Sequence, residues 1–82
     1  MIAKQFLNRA FSLARYYNIA PKGEKAELIH QFRNAQIAYS QYCDEEQYLV
    51  PYMAMDGTID ALDTENGIWV WDYEEKEFKM EA

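Results

Sequence analysis

The chain has no lysine or arginine across forty-two consecutive residues, from Asn34 to Glu75. Residues 1–43 carry six basic and two acidic side chains, a charge of +4, whereas residues 44–82 carry two basic and twelve acidic ones, a charge of −10. The whole chain has a net charge of −6 and a pI near 4.6. Such acidity argues against direct binding to duplex nucleic acid, whose phosphates attract cationic proteins. The asymmetry instead predicts a partner with a basic surface.

Cysteine and long apolar runs are also scarce. Cys43 is the single cysteine, which excludes an internal disulfide framework and is typical of a reducing compartment. No apolar run approaches the ~18 residues that a membrane span requires. Lys4 and Arg9 interrupt the apolar residues of the N-terminal segment, so we do not expect it to be a secretory signal peptide. We therefore expect a cytoplasmic protein without membrane contact.

What is present is enough for one packed domain. The chain has 82 residues, of which 50% are hydrophobic and 16% aromatic, a composition that argues against disorder. We expect a single α+β domain over residues 1–82. A weakly basic helical hairpin would occupy residues 1–43, packed on an acidic antiparallel β-meander of three to four strands over residues 44–82.

The helical half shows apolar residues at three- and four-residue spacing. In the first helix these positions are Ala3, Phe6, Leu7, Ala10, Leu13, Ala14 and Tyr17. Residues 18–23, with Pro21 and Gly23, are predicted to break the chain between the helices. The second helix is predicted over residues 24–42, with Leu28, Phe32, Ala35, Tyr39 and Tyr42 as its apolar stripe and Ile29 and Ile37 widening it. A short loop favours antiparallel packing of the pair.

From residue 47 onward the apolar period becomes two. Four strands are predicted, over residues 47–55, 58–64, 68–73 and 78–81, with turn signals at Asp56-Gly57 and Asn66-Gly67. A turn centred on Asn66-Gly67 places Trp71 opposite Leu62. The next loop then places Trp71 opposite Met80 and Asp72 opposite Lys79. Pro51 predicts that the first strand lies at a sheet edge, because proline has no N–H to donate to a neighbouring strand.

Alternation assigns the side chains of the strands to two faces. The predicted core face, covered by the helices, carries Met53, Met55, Leu62, Trp69, Trp71, Tyr73, Phe78 and Met80. Asp60 also falls on this face and does not fit it. The predicted outward face carries Val50, Tyr52, Ala54, Ile59, Ala61, Ile68 and Val70.

No residue pattern indicates catalysis, a metal or a cofactor. The segment from Asp56 to Asp63 resembles half of a calcium loop, but Tyr52 and Ala54 stand where oxygen ligands are needed, so a hairpin turn explains it better. His30 has no nucleophile identifiably beside it and is expected to be a partly buried structural residue. Cys43 is followed by acids and not by the cationic groups that activate a thiol, which argues against a reactive cysteine. We therefore expect a protein that is not an enzyme.

Two alternative functions remain open. The chain could be a homo-oligomeric structural subunit that associates through the outward sheet face. It could also be a DNA-binding regulator that uses its second helix, where polar side chains with base-reading chemistry occur at Gln31, Arg33, Asn34 and Gln36. The aromatic strand over residues 68–73 does not favour single-strand binding, because stacking platforms lie in positively charged grooves.

The leading hypothesis is a non-catalytic interaction protein that binds a basic surface of another protein. Its most specific form is a nucleic-acid mimic that inhibits a nucleic-acid-binding machine, as in the counter-defence proteins of phages and mobile elements. Apolar patches with polar rims are typical of interfaces. The predicted binding residues are a rim of Asp63, Glu65, Asp72, Glu74, Glu75 and Glu77 around a centre of Tyr52, Ile59, Ile68 and Val70.

Overall fold

The computed structural model describes residues 2–81 and consists of a helical hairpin followed by a four-stranded antiparallel sheet. The elements are α1 (Ile2–Ile19), α2 (Lys22–Tyr42), β1 (Leu49–Met53), β2 (Ile59–Thr64), β3 (Gly67–Asp72) and β4 (Glu77–Met80). The strands are ordered β1-β2-β3-β4, each paired with its neighbour in the chain. The predicted α+β class is confirmed, as is the prediction from Pro51 that β1 is an edge strand.

The break between the helices is shorter than predicted, because only residues 20 and 21 lie outside them. Pro21 is the N-cap of α2, and its carbonyl accepts the N–H of Glu24 at 2.9 Å. Gly23 therefore lies within the first turn of α2 and does not interrupt it. At the other end of the hairpin, the rings of Phe6 and Tyr42 stack with their centroids 5.5 Å apart, which shows that the helices are antiparallel.

The helix pair covers one face of the sheet, as predicted. The core consists of Ala10, Leu13, Ala14 and Tyr17 from α1, Phe32, Ala35 and Tyr39 from α2, and Leu49, Ile59, Leu62 and Trp71 from the strands. Phe11 of α1 makes edge-to-face contacts with Trp69 and Phe78, at centroid distances of 5.3 and 6.2 Å. Since a fully buried large apolar side chain stabilises the fold by about 1.5–3 kcal/mol, this small core supplies much of the folding energy.

The strand register differs from the prediction by two residues. Leu62 lies opposite Trp69, and Trp71 lies opposite Phe78. A type I′ turn on Asn66-Gly67 needs positive φ at both residues, but of these two only Gly67 adopts it, at 128°. The loop therefore consists of residues 65 and 66, between the paired Thr64 and Gly67. A shift by an even number keeps every side chain on its face, so Leu62, Trp69, Trp71 and Phe78 remain on the helix side.

A β-bulge near the start of β2 overturns the predicted orientation of Ile59. Met53 lies opposite Ile59 and Tyr52 opposite Ala61, so Asp60 is the extra residue. The bulge resets the alternation and turns Ile59 into the core, where its side chain is 0% exposed. Ile59 is therefore not on the outward face. The bulge also explains why Asp60 did not fit the predicted core face.

The ends of the strands are more exposed than their alternation predicts. Met55 lies in the turn after β1 and is fully exposed, and Met53, Tyr73 and Met80 are more than 40% exposed at the sheet margins. His30 is exposed on α2, contrary to the expected partly buried position. A sheet of four short strands has few interior positions, so alternation overestimates burial near its edges.

Candidate protein-interaction surface

The face of the sheet opposite the helices carries an apolar patch, which we call the outer patch: Val50, Tyr52, Ala61, Ile68 and Val70. Across the sheet, Tyr52, Ala61 and Val70 lie in one row, and Val50 and Ile68 belong to the next. Four of the five side chains are 39–52% exposed, with Ala61 partly covered between the strands. Both helices pack on the other face, so the outer patch is open to a partner.

Asp63 lies inside the outer patch, opposite both Val50 and Ile68. Its Oδ1 accepts a hydrogen bond from the Tyr48 hydroxyl at 3.3 Å. Loss of hydration and this carboxylate raise the pKa of Tyr48, which keeps the hydroxyl protonated as a donor. Within residues 2–81, no cationic side chain forms an ion pair with Asp63. The patch therefore contains a carboxylate among apolar side chains without a cationic partner.

Two further acidic residues, Asp72 and Glu75, border the outer patch beside β4, and Lys79 partly neutralises their charge. Lys79 Nζ lies 3.4 Å from Asp72 Oδ2 and 3.0 Å from Glu75 Oε2. The hydrogen bond to Glu75, followed by the one to Asp72, raises the pKa of Lys79. Asp72 Oδ1 also accepts the N–H groups of Glu74 and Glu75, and these bonds lower its pKa. Lys79 lies opposite Val70 and not, as predicted, opposite Asp72, so it reaches Asp72 diagonally.

Glu65 was predicted to belong to the acidic rim, but its carboxylate has an internal role. Oε1 accepts the Tyr39 hydroxyl at 3.0 Å, and Oε2 accepts the backbone N–H of Tyr48 at 3.1 Å. Glu65 therefore joins α2, the residue before β1 and the β2–β3 turn. Its role depends on a residue 26 positions away, which local alternation cannot reveal.

The structure brings together most of the other predicted binding residues. Tyr52, Asp63, Ile68, Val70 and Asp72 share the outward face. Glu74, Glu75 and Glu77 follow at its β3–β4 end and are exposed. The prediction missed Tyr48, although its even spacing from Val50 and Tyr52 is the signal that could have identified it.

The Tyr39–Glu65 hydrogen bond predicts a loss of stability at alkaline pH. Burial, followed by the bond to Glu65, raises the pKa of Tyr39 from its ordinary value of 10.0 to about 12. Because the folded state holds this proton more tightly than the unfolded state, its contribution is complete below pH 10 and is lost as the pH rises towards 12. Urea unfolding between pH 9 and pH 12 is expected to show a smaller decline for Tyr39→Phe than for the wild type. Equal declines would contradict this assignment.

The remaining polar segments have structural explanations. Asp56 Oδ1 accepts the N–H of Thr58 at 2.9 Å, so this segment forms a hairpin turn. In α2, Gln36 donates to the carbonyl of Leu49 and Gln31 donates to Glu27, which engages two of the four side chains considered for base reading. No group of three or more His, Cys, Asp or Glu among residues 2–81 is arranged to hold a metal ion.

Searched against protein-family models, curated proteins and solved structures, the chain matches none of them. Of the two helices described, neither combines the length and apolarity needed to cross a membrane. The class defined by the fold is a two-layer α+β domain with one sheet face uncovered, and its function is inferred from that face.

Proposed function

We propose that the protein binds another protein through the outer patch, and that the partner presents an apolar centre with a cationic rim. The observation that carries this proposal is the position of Asp63. Its carboxylate lies between Val50 and Ile68 and has no cationic partner among the described residues. A partner arginine or lysine placed here would gain an ion pair while Val50 and Ile68 lose water.

Tyr52 in the outer patch and Tyr48 beside Asp63 supply contact area suited to such a partner. Tyr48 and Tyr52 are 43% and 52% exposed, and tyrosine is enriched among interface residues that dominate binding energy. An exposed aromatic ring can also bind a cation over its face. The partner is therefore expected to present arginine near Asp63 and apolar side chains over Ile68 and Val70.

The charge of the sheet half favours a partner that normally binds nucleic acid. Asp72, Glu74, Glu75 and Glu77 extend the negative potential along one end of the patch, and Lys79 offsets only part of it. Carboxylates on such a surface can occupy sites that bind phosphates. In its most specific form, the proposal is mimicry of nucleic acid, which inhibits the partner.

The proposal is tested by capture followed by titration with a purified partner. A protein captured from lysate at low salt is purified, and its affinity is measured for the wild type and for Val70→Asp. Val70 is 39% exposed and lies opposite Lys79, so a new carboxylate there reaches water and a cation, and the variant is expected to fold. Val70→Asp is expected to weaken binding at least about tenfold, because it places a charge in the apolar centre.

Ile37→Asp is the matched control, since Ile37 is 55% exposed on α2 and the substitution adds the same charge on the other layer. The control is expected to bind like the wild type, and Asp63→Asn is expected to reduce the dependence of affinity on salt. Equal weakening by Val70→Asp and Ile37→Asp would contradict the proposed face. Competition by nucleic acid would support mimicry, whereas simultaneous binding of nucleic acid would exclude it.

A further inference from the structure

The two edges of the sheet differ in the availability of their backbone groups. At the β4 edge, the N–H of Glu81 donates to the carbonyl of Ile68 at 2.9 Å, which identifies that pair as hydrogen-bonded. In an antiparallel pair, the backbone groups of successive residues point alternately towards and away from the neighbouring strand. The N–H and C=O groups of Lys79 and Glu77 therefore also face β3, and those of Phe78 and Met80 point away from the sheet. Among residues 2–81, no side chain or loop bonds to these outward groups.

The β1 edge is partly closed. The side-chain amide of Gln36 donates to the carbonyl of Leu49 at 3.0 Å, so an outward acceptor of β1 is occupied by α2. Pro51, the next residue with the same orientation, has no N–H. Edge strands blocked in this way resist pairing with another chain. The β4 edge has no equivalent protection at Phe78 or Met80.

We propose that β4 pairs antiparallel with β4 of a second copy of this chain, which produces a continuous eight-stranded sheet in a two-fold dimer. This inference is independent of the proposed partner binding, because it uses a sheet edge and not the outer patch. A two-fold axis normal to the sheet keeps both helical hairpins on one side and both outer patches on the other.

The charges along β4 select one register of this pairing. The unpaired backbone groups at the β4 edge allow three registers between the two copies. Phe78 can lie opposite Phe78 of the second copy, Phe78 opposite Met80, or Met80 opposite Met80. The second arrangement places Lys79 opposite Lys79 and is repulsive. The third lies at the end of the strand and leaves Phe78 without a partner in β4.

The first arrangement places Phe78 opposite Phe78 of the second copy and exchanges two backbone hydrogen bonds. Glu77 of each copy then lies opposite Lys79 of the other, which gives two complementary cross-strand pairs. The pairing ends at Lys76, whose φ of 56° leaves the extended region and whose carbonyl accepts the Arg15 Nε–H at 2.8 Å. The interface is therefore short, and a weak, concentration-dependent dimer is expected.

Sedimentation equilibrium of the purified protein, from micromolar to millimolar concentration, tests the association. Hydrogen exchange in the same series tests its location. The Phe78 amide has no partner in the monomer and is expected to become protected as the concentration rises. A monomer at every concentration overturns the proposal, and so does a dimer in which the Phe78 amide remains unprotected.

Charge reversal tests the register. Glu77→Lys and Lys79→Glu are each expected to weaken the dimer about tenfold, because each places like charges opposite each other at two symmetric positions. The double variant restores complementary pairs and is expected to recover dimerisation. The control pair, Lys22→Glu and Glu24→Lys, changes exposed charges on α2 and is expected to have no effect. Failure of the double variant to recover overturns the proposed register.

Discussion

Ile59→Asp is expected to unfold the protein. Ile59 is fully buried, and the substitution places a carboxylate among core side chains with no cation beside it. An unpaired buried charge costs several kcal/mol, and loss of the apolar side chain adds to this cost. The expected loss is at least about 4 kcal/mol, a large part of the ~5–15 kcal/mol that stabilises a typical domain. Circular dichroism with urea titration measures the change.

Ile68→Asp is the matched control for this prediction. Ile68 is 41% exposed on the outward face, so the same substitution leaves the new carboxylate in contact with water. The variant is expected to retain a cooperative unfolding transition, with a modest loss because Asp63 lies opposite. A folded Ile59→Asp variant with near-normal stability would contradict the bulge, since Ile59 is buried only if Asp60 is the extra residue.

Asn18→Leu is expected to cost about 2–4 kcal/mol, because each of two hydrogen bonds at partly buried backbone groups is worth roughly 1–2 kcal/mol when lost. Asn18 Oδ1 accepts the N–H of Ile59 at 2.9 Å, and Asn18 Nδ2 donates to the carbonyl of Ile59 at 3.0 Å. The side chain thus occupies both backbone groups of a residue beside the bulge. Thermal and urea unfolding measure the loss of stability.

Two further substitutions define the role of Asn18. Asn18→Asp retains the acceptor for the Ile59 N–H but loses the donor, and an intermediate loss is expected. Asn34→Leu replaces an exposed asparagine on α2 and is expected to change stability by less than about 0.5 kcal/mol. If Asn18→Leu were as mild as Asn34→Leu, the contact between α1 and the bulge would not contribute to the fold.

The fold class was predictable because its signals are local. The apolar spacing of Phe6, Leu13 and Tyr17 predicted a helix, and alternation around Trp69 and Trp71 predicted a strand. Pro51 identified an edge strand because the missing N–H restricts where proline can lie. The exact strand register was not predictable, because Asn66-Gly67 is compatible with more than one turn geometry. The chain forms its loop at residues 65 and 66 and not at the predicted residues 66 and 67.

Part of the candidate surface was also predictable from local alternation. Tyr52, Ile68 and Val70 follow the period of two, and the structure places them together on the outward face. The outward orientation of Ile59 was wrong, and the internal hydrogen bonds of Glu65 were not foreseen, because both depend on distant residues. Asn18 in α1 satisfies the backbone of Ile59, and Tyr39 in α2 donates to Glu65.

The sequence by itself determined the segregation of charge and the order of helices and strands. These properties follow from composition and from periods of 3.6 and 2 residues, which do not depend on tertiary contacts. Only the tertiary structure decided which carboxylates remain available to a partner. Asp63 lies on the uncovered face and accepts the exposed Tyr48 hydroxyl, whereas Glu65 is held by the Tyr39 hydroxyl and the backbone N–H of Tyr48. Both residues lie between Asn34 and Glu75, the stretch without lysine or arginine. The groups that folding brings to each carboxylate decide which hydrogen bonds it makes.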